Sequence, residues 1–186
     1  MAEAIATTQL GAALMGAALM GGAPVGGALA VATEPTRKLA VIVSKGTLDM
    51  AYPGLILANA ARMSGGEATI FFTFWGLDVI TEKKVDHLHV STVGNPSLPI
   101  PTLIGGLPGV EAATTSLMKK QMAHIDLPSV RELLQILSDS GAHLYACGLA
   151  MEMFKVKREE LIPQVEGVLS AMDFFDRTEG AQLLFI

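Results

Sequence analysis

Two continuous apolar runs with a helix between them constrain this chain more than any other feature. Residues 39–43 (LAVIV) are short and β-branched, and Ser44, Lys45 and Gly46 follow them, so they read as a strand rather than a helix. Residues 52–63 carry Leu55, Ile56, Ala60 and Met63 at helical spacing and stop at Ser64, Gly65 and Gly66. Residues 68–74 (ATIFFTF) are a second apolar run. A strand that is apolar at every position is buried on both faces, which is the condition of a parallel sheet. Strand, helix and strand within about 35 residues is the βαβ unit.

The remainder extends this logic. Residues 77–84 read as a short helix, and residues 87–109 as an irregular stretch rich in proline and glycine. Residues 111–123 read as a helix. Leu127, Pro128 and Ser129 open another, with Val130, Leu133, Leu134 and Leu137 as its apolar stripe and Gly141 as its stop. Residues 142–146 form a third strand, with Cys147 and Gly148 at its end. Short helices are expected over 157–162 and 168–177, and a last strand over 181–186. The expected fold is α/β: an open, mostly parallel sheet with helices on both faces, a three-layer Rossmann- or flavodoxin-like sandwich. Such sheets bind ligands beyond the C-terminal ends of their strands. The loops at 44–50, 74–77 and 147–151 are expected to meet there.

The first 36 residues stand apart as an Ala/Gly-rich, low-complexity segment, with the α/β domain spanning 37–186. Residues 4–33 carry no charge, and GAALM is repeated in succession from Gly11 to Met20. The segment exceeds the roughly 20 apolar residues that span a bilayer. Its six glycines between positions 11 and 27, with Pro24, give little transfer energy per residue. Glu3 and the lack of early Lys or Arg make it a poor secretory signal. It fits a tail, loosely ordered or packed on an oligomer; a transmembrane or interfacial anchor; or a remnant of processing. An anchor would leave the main domain on the cytoplasmic side, since Arg37 and Lys38 follow directly.

Composition excludes several classes. With 51% apolar residues and 17% charged, the 186-residue chain is neither disordered nor a charged tail. Its net charge of −5 argues against general nucleic-acid binding, which needs a basic face. No glycine-rich dinucleotide fingerprint, P-loop or serine elbow is present, so no cofactor is expected. His87 and His89 would share a strand face, but with one cysteine and with His124 and His143 scattered, no metal site is expected. The single cysteine, Cys147, excludes an internal disulfide and suits a reducing compartment, most simply the cytoplasm.

Cys147 is the sharpest candidate for chemistry. It leaves a strand at the edge where sites form, and Gly148 lets a ligand approach the backbone. Backbone amides or a helix start near Leu149 would favour its thiolate, the nucleophilic form. A free cysteine is also often a small core hydrophobe, and position alone leaves both readings open. Lys45 could bring a positive charge to the thiol, or be a solvated loop charge. Met50, Met151 and Met153 could line the same mouth, or fill the core.

The stretch from Leu144 to Phe154 (LYACGLAMEMF) resembles the cysteine motif of DsrE/DsrF-like proteins: a strand ending in Cys, a small residue, then a Met-bearing segment. Residues 41–46 (VIVSKG) with Asp49 resemble the first strand and loop of that family. Residues 70–77 (IFFTFWGL) resemble its second strand. Met118, Lys119 and Lys120, then Pro128, Arg131 to Leu134 and Gly141, resemble its larger, insertion-bearing branch, sometimes labelled peroxiredoxin-like. The resemblance covers residues 38–186 and implies sulfur transfer. Family members carry sulfur on this cysteine as a persulfide or thiosulfonate and pass it between rhodanese-like and TusA-like carriers. Some are associated with heterodisulfide-reductase-like complexes.

The resemblance makes Cys147 the nucleophile of a sulfur carrier or sulfurtransferase, with Lys45, Gly46, Gly148 and Met151 as substrate-binding residues. Peroxidase chemistry is not expected, because no second cysteine is present to resolve a sulfenic acid. The rival is a non-catalytic scaffold or small-ligand module in which Cys147 is only core. A homo-oligomer is expected under either reading, because a small domain buries this apolar excess poorly alone.

Overall fold

A computed structural model describes residues 37–92 and 109–186. The expectations for the N-terminal segment, including its anchor reading, lie outside the described residues. Contacts divide the chain into Met1–Glu34 and Pro35–Ile186, and all described residues belong to the second unit.

The five strands are β1 (Lys38–Val43), β2 (Glu67–Phe72), β3 (His143–Cys147), β4 (Gly167–Leu169) and β5 (Gln182–Phe185). They form one sheet in the order β4-β3-β2-β1-β5, and every pairing is parallel. The helices are α1 (Leu48–Met63), α2 (Val110–His124), α3 (Val130–Asp139), α4 (Gly148–Phe154) and α5 (Ala171–Arg177). Short 3₁₀ segments cover Phe74–Ile80, Val85–His87 and Arg158–Glu160.

The apolar runs form the central strands because both sides of them are covered. Val41, Val43, Ile70, Phe72 and Leu144 have no exposed surface. Gly54 of α1 lies against Val41 and Val43, which places α1 on one face of the sheet. On the other face, Phe174 of α5 stacks on Phe71 of β2 with ring centroids 4.6 Å apart. Strands β1 to β4 therefore step across the sheet one way, and the link through α5 returns beneath it to place β5 outside β1. Right-handed crossovers require that change of face.

α3 forms from its amphipathic stripe and a capping box: the Ser129 N–H donates to Glu132 Oε2 at 2.8 Å, and the Glu132 N–H donates to Ser129 Oγ at 3.3 Å. The Ser129 bonds hold the Glu132 carboxyl below the usual range. Arg131 on the same helix grips Asp86 at 2.8 Å and Glu82 at 3.0 Å, and its hydrogen bonds hold the Asp86 carboxyl down as well.

Three local expectations are corrected. Residues 168–177 are not one helix: Gly167–Leu169 is β4, pairing with β3, and α5 begins only at Ala171. The segment expected as a helix over 77–84 is a 3₁₀ helix that starts earlier, at Phe74. α1 also begins before Pro53, at Leu48, where the Leu48 N–H donates to the His89 carbonyl at 2.8 Å.

Candidate functional site

The C-terminal strand edge is built by close contact between two loops. The segment after β2 folds back over the end of β1. The Thr73 N–H donates to the Val43 carbonyl at 3.0 Å, and the Gly76 N–H donates to the Thr73 carbonyl at 2.8 Å. A Cβ at Gly76 would stand 2.1 Å from the Val43 carbonyl oxygen, and one at Gly46 would stand 2.4 Å from that of Trp75. Glycine at both positions is what lets the two loops interlock. Phe74 has φ of 46°, the left-handed region that a bulky residue rarely adopts. A strained backbone of this kind is characteristic of functional edges.

Cys147 is the last residue of β3 and the N-cap of α4. The register Phe71↔Tyr145 and the two-residue period of strands put Thr73 and Cys147 on the same side of the sheet. Cys147 thus stands at the C-terminal edge of the sheet, the edge where open parallel sheets bind ligands. It borders a hollow of about 440 Å³ with Thr73, Phe74, Leu149, Ala150, Glu152 and Met153. The thiol-bearing residue is only 7% exposed, whereas Leu149 is 73% and Met153 52% exposed. Trp75 and Phe154 extend the apolar surface beside it, with rings 5.9 Å apart. The arrangement is a recessed thiol bordering a mostly apolar hollow, with Phe74 and Met153 among its lining.

The other expected site residues lie apart from this lining. Lys45 is exposed and does not border the hollow. Gly46 lines a separate depression with Asp78, Lys84 and His89. Gly148 lies against Val168 of β4, where a Cβ would come within 3.3 Å of Cγ1. It lines a third depression with Met151, which is 7% exposed. Met153 of α4 does reach the mouth, as the sequence suggested.

Phe74, Leu149 and Glu152 were not singled out from the sequence. For Leu149 and Glu152 the signal was a helix starting directly after Cys147; for Phe74 it was the 74–77 loop already expected at this edge. Behind the cysteine, the Tyr145 hydroxyl donates to Glu166 at 2.9 Å, and His143 Nδ1 lies 2.9 Å from the same carboxylate. Burial and this carboxylate push the Tyr145 hydroxyl up from its usual range. Arg177 of α5 lies over the Tyr145 ring at 5.3 Å, tying α5 to β3. His143 is thus engaged with Glu166 on its own strand pair. Among the described residues no helix is long and apolar enough to cross a membrane, and no cluster of three or more His, Cys, Asp or Glu could hold a metal.

The sulfur carrier protein DsrE2 of Allochromatium vinosum is 36% identical over 158 residues, covering 81% of this chain and 98% of its own. The uncharacterized protein YrkE of Bacillus subtilis is 25% identical over 159 residues, covering 83% of this chain and 99% of its own. A crystal structure of the ychN protein from E. coli covers 80% of this chain and 99% of its own, with a TM-score of 0.46 at 15% identity. Residues 35–186 match the DsrE/DsrF/DrsH-like family, and with the first of these relatives that match establishes that the chain belongs to it.

Proposed function

We propose that this protein is a sulfur-relay carrier that holds sulfane sulfur on Cys147 as a persulfide and passes it to the thiolate of another carrier protein. The observation supporting this is the recessed Cys147 at the C-terminal edge of the sheet, bordering a hollow large enough for a sulfur-bearing group. The name of the A. vinosum relative supports the same relay role.

The chemistry is two thiol–disulfide-type exchanges. The Cys147 thiolate attacks the outer sulfur of a donor persulfide, R–S–SH. The donor S–S bond breaks, R–S⁻ leaves, and Cys147 holds S–SH. The acceptor thiolate then attacks that outer sulfur and releases the Cys147 thiolate. No electrons are gained or lost overall. TusA-like or rhodanese-like proteins, and a heterodisulfide-reductase-like complex, are the proposed relay partners, and the carrier is proposed to act as a homo-oligomer. Lys45, Gly46, Gly148 and Met151 remain proposed substrate contacts, reached when a larger donor covers the strand edge.

A second reading is favoured by one number: at 7% exposure Cys147 could be an inert core thiol in a binding module. Intact-protein mass spectrometry separates the two. After incubation with polysulfide, the wild type is expected to gain whole sulfur atoms that a thiol reductant removes. Cys147→Ser is expected to gain none while melting like the wild type. An unmodified wild type whose thiol alkylates only after denaturation would move the assignment to the inert reading.

A further inference from the structure

We infer that Glu152 makes the Cys147 site selective against anionic sulfur donors, so that sulfur arrives on an uncharged or cationic group and sulfur oxyanions are turned away. This rests on the proposed persulfide carriage and names the donor class for it. Thr73, Phe74, Leu149, Ala150 and Met153 give the hollow an apolar lining, and among the described residues Glu152 is the charged side chain that borders it. Sites that hold sulfur oxyanions or phosphates supply Arg, Lys or clustered amides to match several charged oxygens. None of the 13 Lys and Arg of the chain lines this hollow, and residues 1–36 and 93–108, which lie outside the description, contain no Lys, Arg or His at all. A dianion entering here would lose hydration to an apolar wall and meet a carboxylate of like charge.

Methanethiosulfonates of matched size test this on the full chain, which has a single cysteine to label. The Cys147 thiolate attacks the sulfenyl sulfur, a mixed disulfide forms, the S–SO₂ bond breaks, and methanesulfinate leaves with the electron pair. Rates for a trimethylammonium-ethyl reagent and a sulfonato-ethyl reagent are each divided by their rates with free 2-mercaptoethanol. The cationic reagent is expected to be favoured by roughly three- to tenfold beyond the free thiol. Glu152→Gln should bring the ratio near one and Glu152→Lys should invert it. Salt at about 1 M, where the screening length is about 3 Å, should flatten it. A wild-type ratio equal to that of the free thiol, or one unmoved by Glu152→Gln, overturns the inference.

Natural-type donors give the second arm. Aminoethyl persulfide is expected to load one sulfur on Cys147 faster than tetrathionate loads its S–SO₃⁻ group with release of thiosulfate. Equal loading overturns the selectivity. Charge discrimination without any persulfide transfer would keep the selectivity and defeat the carrier reading. A native thiol inert to every reagent would defeat both.

Discussion

An alanine at Gly76 would place its Cβ 2.1 Å from the Val43 carbonyl oxygen and 2.8 Å from the carbonyl carbon. Carbon–oxygen contacts ordinarily close at about 3.3 Å, so the two backbones must part by about 1 Å. Neither side yields easily. Val43 is itself buried at the end of a central strand, and its carbonyl accepts the Thr73 N–H at 3.0 Å. Overpacking of this kind costs about 1–3 kcal/mol, and a clash between two backbones belongs at the upper end. For a domain of about 150 residues, about 3 kcal/mol corresponds to a loss of roughly 6–12 °C in melting temperature. The displaced segment also carries Thr73 and Phe74, so sulfur loading of Cys147 should slow even at temperatures where the variant is folded. Thermal and urea melts followed by circular dichroism, with loading rates by mass spectrometry, read both effects. Gly180→Ala is the control, because it has open space around it but φ of 75°, and should cost only about 1 kcal/mol through its backbone. If Gly76→Ala melts within about 0.5 kcal/mol of the wild type, the interlocked-loop account fails.

Three further outcomes follow from the packing and the charges. Phe174→Ala removes a ring that is 1% exposed and stacked on Phe71, and a urea melt should show a loss of about 3–5 kcal/mol. Ser129→Ala deletes the α3 capping box and should cost about 1 kcal/mol in the same assay. Asp86, Glu132 and Asp173 all have carboxyls held below their usual range by their partners, so what they contribute is present above about pH 4 and is lost as pH falls through their lowered values. Melts from pH 6 to pH 2 should therefore show stability declining steeply at the acid end, and Arg131→Ala should blunt the part due to Asp86.

The core of the fold was legible because central parallel strands leave an unmistakable trace. β1, β2 and β3 carry apolar runs, and Pro128 with the Val130, Leu133, Leu134 and Leu137 stripe marks α3. What escaped reading was held by partners distant in sequence. β4 is three residues long and pairs through its backbone with β3, so nothing in Gly167-Val168-Leu169 separates it from the helix that follows. The helix expected from residue 52 runs back to Leu48, where the His89 carbonyl takes its leading amide. The candidate nucleophile could be read from its place at the end of an apolar run. Its neighbours could not, because Phe74 arrives through a left-handed turn and Glu152 through a helix that opens on the cysteine itself. Lys45, adjacent in the expected loop cluster, is carried away from the hollow where the chain turns to begin α1.

Next to the hollow, against the ring of Phe74 that lines it, stands the chain's single tryptophan. Trp75 follows Phe74 directly, is 58% exposed, and has the Phe154 ring within 5.9 Å. All indole fluorescence of the protein therefore originates beside Cys147, with no second emitter to dilute it. A docking partner that covers this edge would remove water from the indole and shift its emission to the blue, and a heavy sulfur chain growing on Cys147 would quench it. The molecule thus carries its own optical reporter for this edge, and the proposed arrival of a sulfur donor or departure of an acceptor can be followed in real time with neither label nor mutation.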